Sequence, residues 1–240
     1  NRFVGDRKAG GTQVCRRAAI RCRRVQRLCA LRLHQRHGVK VTGISLSEEQ
    51  LKVARARAEK LGVTKAVEFR MQDYREVTGT FDRIVSVGMF EHVGLPHYNR
   101  FFRSIYNLLT PEGIALLHTI GRADGPGASD SWTHKYIFPG SYAPAMSEVV
   151  PHIEHQGFYV ADVEVMRMHY AWTLQEWRRR FMTHRAEIEK LYDARFCRMW
   201  EFFLASAESA FRNAFHVNFQ FQLCKQLDAV PFTRDYMYRD

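Results

Sequence analysis

Three residues that can take up or release a proton follow apolar segments of this sequence. Glu91 comes directly after the run FDRIVSVGMF, His118 lies in IALLHTIG, and Tyr170 lies in MHYAWTL. Carboxylate, imidazole and phenol groups are common general acids and bases in enzymes. An acid at the end of an apolar strand is costly to bury without a partner, so its presence there favours a functional site.

Each of these residues also has a structural interpretation. Glu91 can cap the turn that follows its strand, and His118 can be a half-buried histidine at the end of a sheet strand. A single aromatic residue ahead of a helix, such as Tyr170, is commonplace, and His92 can be a histidine satisfied within the core. Residue types alone leave both interpretations open.

A second set of polar residues lies where other predicted strands end. It consists of Ser45, Ser47 and Gln50 after GVKVTGIS, and Gln72, Asp73 and Tyr74 after AVEFRM. Ser47 followed three residues later by Gln50 predicts a helix N-cap with a capping box. That pattern explains both residues without a ligand.

The order of predicted elements indicates how the two sets are positioned. Strands are expected at 38–45, 66–72, 81–90 and 114–121, with helices at 48–61 and 95–113 between them. Such alternation predicts an α/β doubly wound parallel sheet, whose ligands bind beyond the carboxyl ends of the strands. Farther along, we expect a helix at 141–157, a strand at 158–166, helices at 173–192 and 193–215, and an antiparallel strand at 216–226.

Charge is distributed unevenly along the 240 residues. Residues 1–40 contain 12 lysines and arginines against one acid, Asp6, which accounts for the whole net charge of +11. No apolar run approaches the roughly 18 residues of a membrane span, so an integral membrane protein is not expected. The five cysteines show no paired spacing, so the pattern predicts neither a disulfide framework nor a metal site and favours a reducing cytoplasm.

The arginine-rich start has three interpretations. It can be a basic arm that binds nucleic acid, a transit peptide, or a segment that is out of register with the domain that follows. We favour the third, because basic arms seldom contain cysteines such as those at 15, 22 and 29, transit peptides favour serine, and the composition changes abruptly near residue 37. We therefore expect residues 1–36 to be a poorly ordered basic segment, with no nucleic-acid partner.

At VTGISLSEEQ, MQDYRE, FDRIVSVGMFEHVG, LLHTIG and FPGSYAP the sequence resembles the cyclopropane-fatty-acyl-phospholipid synthase family, which includes the mycolic acid cyclopropane synthases. The resemblance implies a Rossmann-like S-adenosylmethionine-dependent methyltransferase fold, with a seven-stranded, mostly parallel sheet and a helical insertion covering the site. It implies methyl transfer to the cis double bond of an unsaturated phospholipid acyl chain, followed by proton loss to bicarbonate and ring closure. The enzyme would be cytoplasmic and peripheral to the inner membrane surface.

The resemblance also implies residue roles. Ser45, Ser47 and Gln50 would face the ribose of S-adenosylmethionine, and Gln72, Asp73 and Tyr74 would hold its adenine edge. Gly88, Glu91, His118, Ile120 and Tyr170 would surround the bicarbonate ion. Glu91 would orient the O–H of that ion and would not itself be the base.

One family feature is missing from this sequence. The family has a first apolar strand and a glycine-rich turn ahead of GVKVTG, where only glycine lets the backbone approach the cofactor. Residues 12–37 contain no glycine. We therefore expect a methyltransferase domain at 37–240 that lacks its first strand and binds S-adenosylmethionine weakly or not at all. A methyltransferase acting on an amine and a catalytically inactive remnant are the alternative functions.

Overall fold

The computed structural model describes residues 17–22 and 26–238, with side chains from residue 29 onward. Its strands are β1 (Arg17–Cys22), β2 (Lys40–Ser45), β3 (Val67–Met71), β4 (Phe81–Val87), β5 (Leu109–Arg122), β6 (Tyr159–Met166) and β7 (His216–Cys224). Its α-helices are α1 (Gln26–His37), α2 (Glu48–Lys60), α3 (Tyr98–Leu108), α4 (Ser131–Tyr136), α5 (Met146–His155), α6 (His169–Thr183), α7 (Arg185–Leu191) and α8 (Ala194–Asn213).

All the strands belong to one sheet with the order β3-β2-β1-β4-β5-β7-β6. Strands β1 to β5 pair in parallel, whereas β7 runs antiparallel to both β5 and β6. Helices α1 and α2 cover one face of the β1–β3 half, and α3 and α5 cover the opposite face toward β4, β5 and β7. The predicted α/β methyltransferase architecture is therefore confirmed, and the late antiparallel strand is where the alternation predicts it.

Helices α6 and α8 form a third layer with a core of their own. Their buried residues Leu174, Phe181 and Leu204 pack together, and Ile120 of β5 contacts this cluster. The insertion therefore covers the carboxyl end of β5, as expected. None of the described helices is both long enough and apolar enough to cross a membrane.

The start of α2 agrees with its sequence signal only in part. Ser47 is the N-cap, and its side chain accepts a hydrogen bond from the backbone N–H of Gln50. The reciprocal half of the predicted capping box is replaced, because the N–H of Ser47 donates to Ser45 Oγ at 3.1 Å. The Gln50 side chain instead accepts from Ser45 Oγ at 3.3 Å.

The boundaries of three elements differ from the sequence expectation. The strand expected at 81–90 ends at Val87, because Gly88 has a φ of 62°, in the left-handed region that glycine tolerates. The helix expected at 95–113 ends at Leu108, because Leu109 already pairs with Phe81 in the sheet. Likewise the helix expected at 173–192 begins at His169 and is interrupted at His184.

The amino-terminal expectation needs a larger correction. Arg17–Cys22 forms a strand in the middle of the sheet, with Ala19 opposite Thr42 on one side and Ile84 on the other. Main-chain pairing does not depend on side-chain type, so an arginine-rich segment can complete the ladder. Helix α1 also belongs to the domain, since its Ala30 and Leu31 are buried in the core. The domain thus begins before residue 37, and its first strand is present.

Candidate active site

Glu91 is brought back toward the sheet by the turn after β4. The N–H of Gly88 donates to the carbonyl oxygen of His118 at 3.0 Å, which holds the end of β4 against β5. A single 3-10 turn over Phe90–His92 follows. It places Glu91, which is only 8% exposed, where its Oε1 accepts a hydrogen bond from the backbone N–H of Ile120 at 2.8 Å.

His118 and Tyr170 lie next to each other above the same end of the sheet. Their ring centroids are 6.1 Å apart, and Tyr170 lies 5.3 Å from the ring of Phe211 in α8. Burial lowers the pKa of His118 from 6.5 to about 4, because a charged imidazole is poorly solvated there. At neutral pH His118 is therefore an uncharged imidazole with one donor and one acceptor nitrogen.

The structure thus brings the five residues expected around the anion to one end of the sheet, namely Gly88, Glu91, His118, Ile120 and Tyr170. Val87 pairs with His118 in the β4–β5 ladder, Gly88 and Glu91 bond to the backbone of β5, and Tyr170 starts α6 beside His118. Residues spaced two apart on a strand share a face, so His118 and Ile120 both face the α6–α8 layer.

Sequence reasoning did not single out two residues that support Glu91. The N–H of Tyr142 donates to the carbonyl oxygen of Glu91 at 2.7 Å. The Tyr142 hydroxyl donates to Glu148 Oε1 at 2.6 Å, and burial together with this carboxylate raises the pKa of Tyr142 to about 12. The motif FPGSYAP contains Tyr142, so the signal was present, but its position beside Glu91 depends on the fold.

The second predicted set lies at the carboxyl ends of β2 and β3. The N–H of Gln72 donates to the carbonyl oxygen of Ser45 at 3.3 Å, so the two groups of polar residues are neighbours. Ser45, Ser47 and Gln50 form the hydrogen-bonded turn that starts α2. The strand ends therefore converge as the doubly wound topology requires.

The side chains of this second set are also bonded within the protein. The Asp73 carboxylate accepts two hydrogen bonds from the Arg75 guanidinium at 2.9 and 2.8 Å. Gln72 Nε2 donates to the carbonyl oxygen of Glu76, and the ring of Tyr74 packs edge-on against Phe101 at 5.7 Å. These contacts hold the turn after β3 in shape.

The two clusters differ in the ligands that their chemistry suits. Beside β5, an uncharged imidazole, a phenol and a carboxylate offer donors and an acceptor to a small anion that carries its own O–H. Beside β2, hydroxyl and amide groups suit the hydroxyls of a ribose. Between β1 and α1 the sequence at 23–25 is Arg-Arg-Val, which does not provide the glycines that close backbone approach to a cofactor requires.

Comparison with known proteins identifies relatives of similar sequence. A family model described as mycolic acid cyclopropane synthetase matches residues 28–221. The cyclopropane-fatty-acyl-phospholipid synthase of Escherichia coli (strain K12) is 41% identical over 176 residues, which are 73% of this chain and 45% of that protein. The tuberculostearic acid methyltransferase UfaA1 of Mycobacterium tuberculosis is 35% identical over 195 residues, which are 79% of this chain and 46% of that protein. This chain spans about half the length of both relatives.

Solved structures show the same fold. The cyclopropane synthase MmaA2 from Mycobacterium tuberculosis superposes with a TM-score of 0.79 at 23% identity, covering 88% of this chain and 79% of that one. The mycolic acid cyclopropane synthase CmaA1, complexed with SAH and CTAB, superposes with a TM-score of 0.78 at 24% identity and the same coverage.

Proposed function

Since this chain belongs to the mycolic acid cyclopropane synthetase family, we propose that its site serves S-adenosylmethionine-dependent transfer of a methylene group to the cis double bond of an unsaturated phospholipid acyl chain. The observation that carries this proposal is that Glu91 bonds to Ile120, two residues beyond His118 in β5, while the rings of His118 and Tyr170 lie 6.1 Å apart. An acid, an uncharged imidazole and a phenol at one edge suit a reaction that ends in removal of a proton.

Two separate groups of residues would bind the two ligands, S-adenosylmethionine and bicarbonate. S-adenosylmethionine supplies an electrophilic methyl group, and bicarbonate supplies a base that is a poor nucleophile. Ser45, Ser47 and Gln50 would bind the ribose, with Gln72, Asp73 and Tyr74 at the adenine edge. His118, Tyr170 and Gly88 would hold the anion, with Ile120 beside it. Glu91 would accept its O–H and so fix its orientation.

The aromatic layer above this cluster suits an acceptor that becomes cationic. Attack by an alkene leaves a carbocation, which water or a nucleophile would trap. Tyr170 and Phe211 pack 5.3 Å apart, and Phe138 and Phe203 pack 5.7 Å apart in the same layer. Aromatic faces stabilise a cation without reacting with it, and their bulk excludes water.

The substrate class also implies a place of action. Phospholipid acyl chains are held in membranes, and the described helices include none that could span one. We therefore infer that the protein acts from the cytoplasm, peripheral to the inner membrane surface. An amine acceptor is the alternative substrate, and dependence on bicarbonate separates the two, because methylation of an amine removes no proton from the transferred methyl group.

The sequence between β1 and α1 lacks the glycines that close approach of the backbone to the cofactor requires. We propose that the chain as written binds S-adenosylmethionine weakly or not at all for this reason. Isothermal titration at about 100 μM cofactor tests it, since a dissociation constant well above this range gives no saturable heat. The double substitution Arg23→Gly/Val25→Gly, called here the glycine variant, is expected to restore saturable heat.

Saturable heat from the unchanged chain would overturn this proposal about the turn. If the glycine variant also gives no heat and its melting temperature is unchanged, the proposal that S-adenosylmethionine binds at the carboxyl ends of β2 and β3 is wrong. The inactive remnant, acting as a basic lipid- or nucleic-acid-associating protein, would show salt-dependent binding that maps to residues 1–40 and needs no cofactor.

The coding sequence gives an independent test of the segment's origin. The family match begins at residue 28, and the arginine-rich composition lies mainly upstream of it. We propose that the residues upstream of 28 are out of register with the family sequence, although the main chain of 17–22 still pairs in the sheet. Reading the nucleotide sequence ahead of His37 in all three frames should then show a glycine-rich turn in another frame.

A further inference from the structure

Three aromatic side chains form a patch where α4 meets α8. The ring of Trp132 lies 4.7 Å from that of Phe202 and 5.6 Å from that of Tyr136. Phe202 is 56% exposed and Tyr136 is 43% exposed. Large apolar rings that cluster at the surface in this way mark an interaction site more often than isolated ones do. These three residues are called the aromatic patch.

Exposed cations border the aromatic patch. Arg198 and Arg195 precede Phe202 by four and seven positions in α8, so they share its side of the helix. Lys135 Nζ lies 5.1 Å from the ring centroid of Tyr136. None of the ion pairs within the described ranges involves these three cations. Their charge is therefore available to an external anion.

Helix α6 also has exposed aromatic residues, but its three arginines are ion-paired. Trp172 is 55% exposed and Trp177 is 41% exposed. The neighbouring cations Arg179 and Arg180 both bind Glu176 at 2.7 Å, so the carboxylate offsets part of their charge. Of these two surfaces among the described residues, the α4–α8 surface is the one that combines exposed aromatic rings with cations outside the ion pairs.

The combination matches the chemistry of a lipid bilayer surface. Tryptophan and tyrosine rings favour the boundary between acyl chains and water, and exposed arginines are attracted to anionic headgroups. We propose that the aromatic patch, with Arg195 and Arg198, docks the protein on an anionic phospholipid bilayer. This inference rests on the proposed acyl substrate, because only a lipid-bound substrate requires such docking.

The position of the patch suits delivery of an acyl chain to the site. Trp132 packs against the same hydrophobic cluster as Tyr170, and Phe138 of that cluster lies 6.4 Å from His92, the neighbour of Glu91. A bilayer on the patch would thus contact the outer side of the aromatic layer. The candidate site lies on its inner side.

Vesicle co-sedimentation without cofactor tests the docking surface. The probe is vesicles of phosphatidylcholine with phosphatidylglycerol, compared with phosphatidylcholine alone. Phe202→Ser should weaken binding about tenfold, since a phenyl group loses its membrane contact. Arg195→Ser/Arg198→Ser should weaken it at least as much and remove the preference for phosphatidylglycerol.

Two features of this design exclude trivial explanations. Phe202→Ser changes no charge, so attraction of vesicles to the basic residues 1–40 cannot produce its effect. Trp177→Ser is the matched control, because it removes an exposed ring from α6, and it should change binding less than twofold. Melting temperatures of all variants should stay close to that of the unchanged chain, since the substituted side chains are exposed.

Several results would overturn the proposal. One is that the unchanged chain does not bind the vesicles, and another is that Phe202→Ser binds them as tightly as the unchanged chain does. The third is that Phe202→Ser loses a dimer but keeps its vesicle binding. Detergent-dispersed phospholipid distinguishes this failure from failure of the proposed function. If the glycine variant adds methylene to dispersed lipid while Phe202→Ser binds vesicles normally, the function stands and only the docking surface is wrong.

Discussion

The backbone N–H of Ile120 donates to Glu91 Oε1 at 2.8 Å, although the two residues are 29 positions apart in the chain. This bond joins the turn after β4 to the last part of β5. It satisfies a backbone donor with a charged acceptor, and such bonds are stronger than neutral ones. Glu91 therefore has a structural role in addition to the role in orienting an anion that we propose for it.

Substitution of Glu91 separates these two roles. Glu91→Gln keeps an oxygen that can accept the Ile120 N–H, so the melting temperature should change little. In the glycine variant, however, loss of the carboxylate should lower bicarbonate-dependent acyl modification about 100-fold. Glu91→Ala removes the bond as well and should also cost about 2 kcal/mol of stability. Full activity of Glu91→Gln would show that the carboxylate serves only the fold.

His118 should make the stability of the fold depend on pH. Its folded-state pKa of about 4 lies below its ordinary value of 6.5, so the unfolded chain binds more protons between these values. Above pH 6.5 the lowered pKa of His118 does not affect the free energy of unfolding. As the pH is lowered from 6.5 to 4, that free energy falls by up to about 3 kcal/mol. Urea unfolding of the chain and of His118→Gln at several pH values measures the difference. Parallel curves for the two proteins would contradict the burial effect.

Ser47→Gly separates helix capping from the proposed binding of ribose. Glycine is tolerated at an N-cap, so the loss of stability should be only a few tenths of a kcal/mol. Loss of a hydroxyl contact to the ribose should weaken S-adenosylmethionine binding by the glycine variant about three- to tenfold. Isothermal titration of both proteins measures this. An unchanged dissociation constant would assign the Ser47 hydroxyl to the helix alone.

Asn218 is expected to destabilise the fold. It is fully buried in β7 opposite Ile120, and both polar atoms of its side chain lack a hydrogen-bond partner among the described residues. Asn218→Leu should therefore raise the free energy of unfolding by about 1–2 kcal/mol, since an unpaired buried amide is replaced by an apolar group of similar size.

Gln222 provides the matched control in the same strand. It is also buried, but its Oε1 accepts a hydrogen bond from the Tyr236 hydroxyl at 2.6 Å. Gln222→Leu should lower the melting temperature, because it leaves that hydroxyl without its partner. If Asn218→Leu destabilises the protein as much as Gln222→Leu does, the Asn218 amide is satisfied in solution.

Local sequence patterns predicted which helices and strands form better than they predicted where those helices and strands begin and end. The cap at Ser47 is a local signal, and α2 begins where it predicts. The early end of α3 is caused by a contact between distant parts of the chain, because Leu109 pairs with Phe81 in the sheet. Pro111, a residue type that is common just after a helix, lies within β5. Long-range pairing decided this boundary.

The same distinction applies to the site. Alternating strands and helices predicted that Glu91 and His118 would meet at one sheet edge, since parallel strands end together. The supporting bond from Tyr142 depends on how the loop after β5 returns to the turn at Glu91. The pattern at 17–22 was misleading for another reason, since a ladder of main-chain bonds tolerates arginines that a hydrophobicity pattern rejects.

Mass spectrometry of the acyl chains tests the central claim most directly. The glycine variant is incubated with S-adenosylmethionine and dispersed phospholipid that carries cis-monounsaturated chains, with and without bicarbonate. The account predicts chains heavier by one CH2 group, formed in the presence of bicarbonate and lost in the Glu91→Gln form. A glycine variant that binds S-adenosylmethionine but leaves the acyl chains unchanged would contradict it.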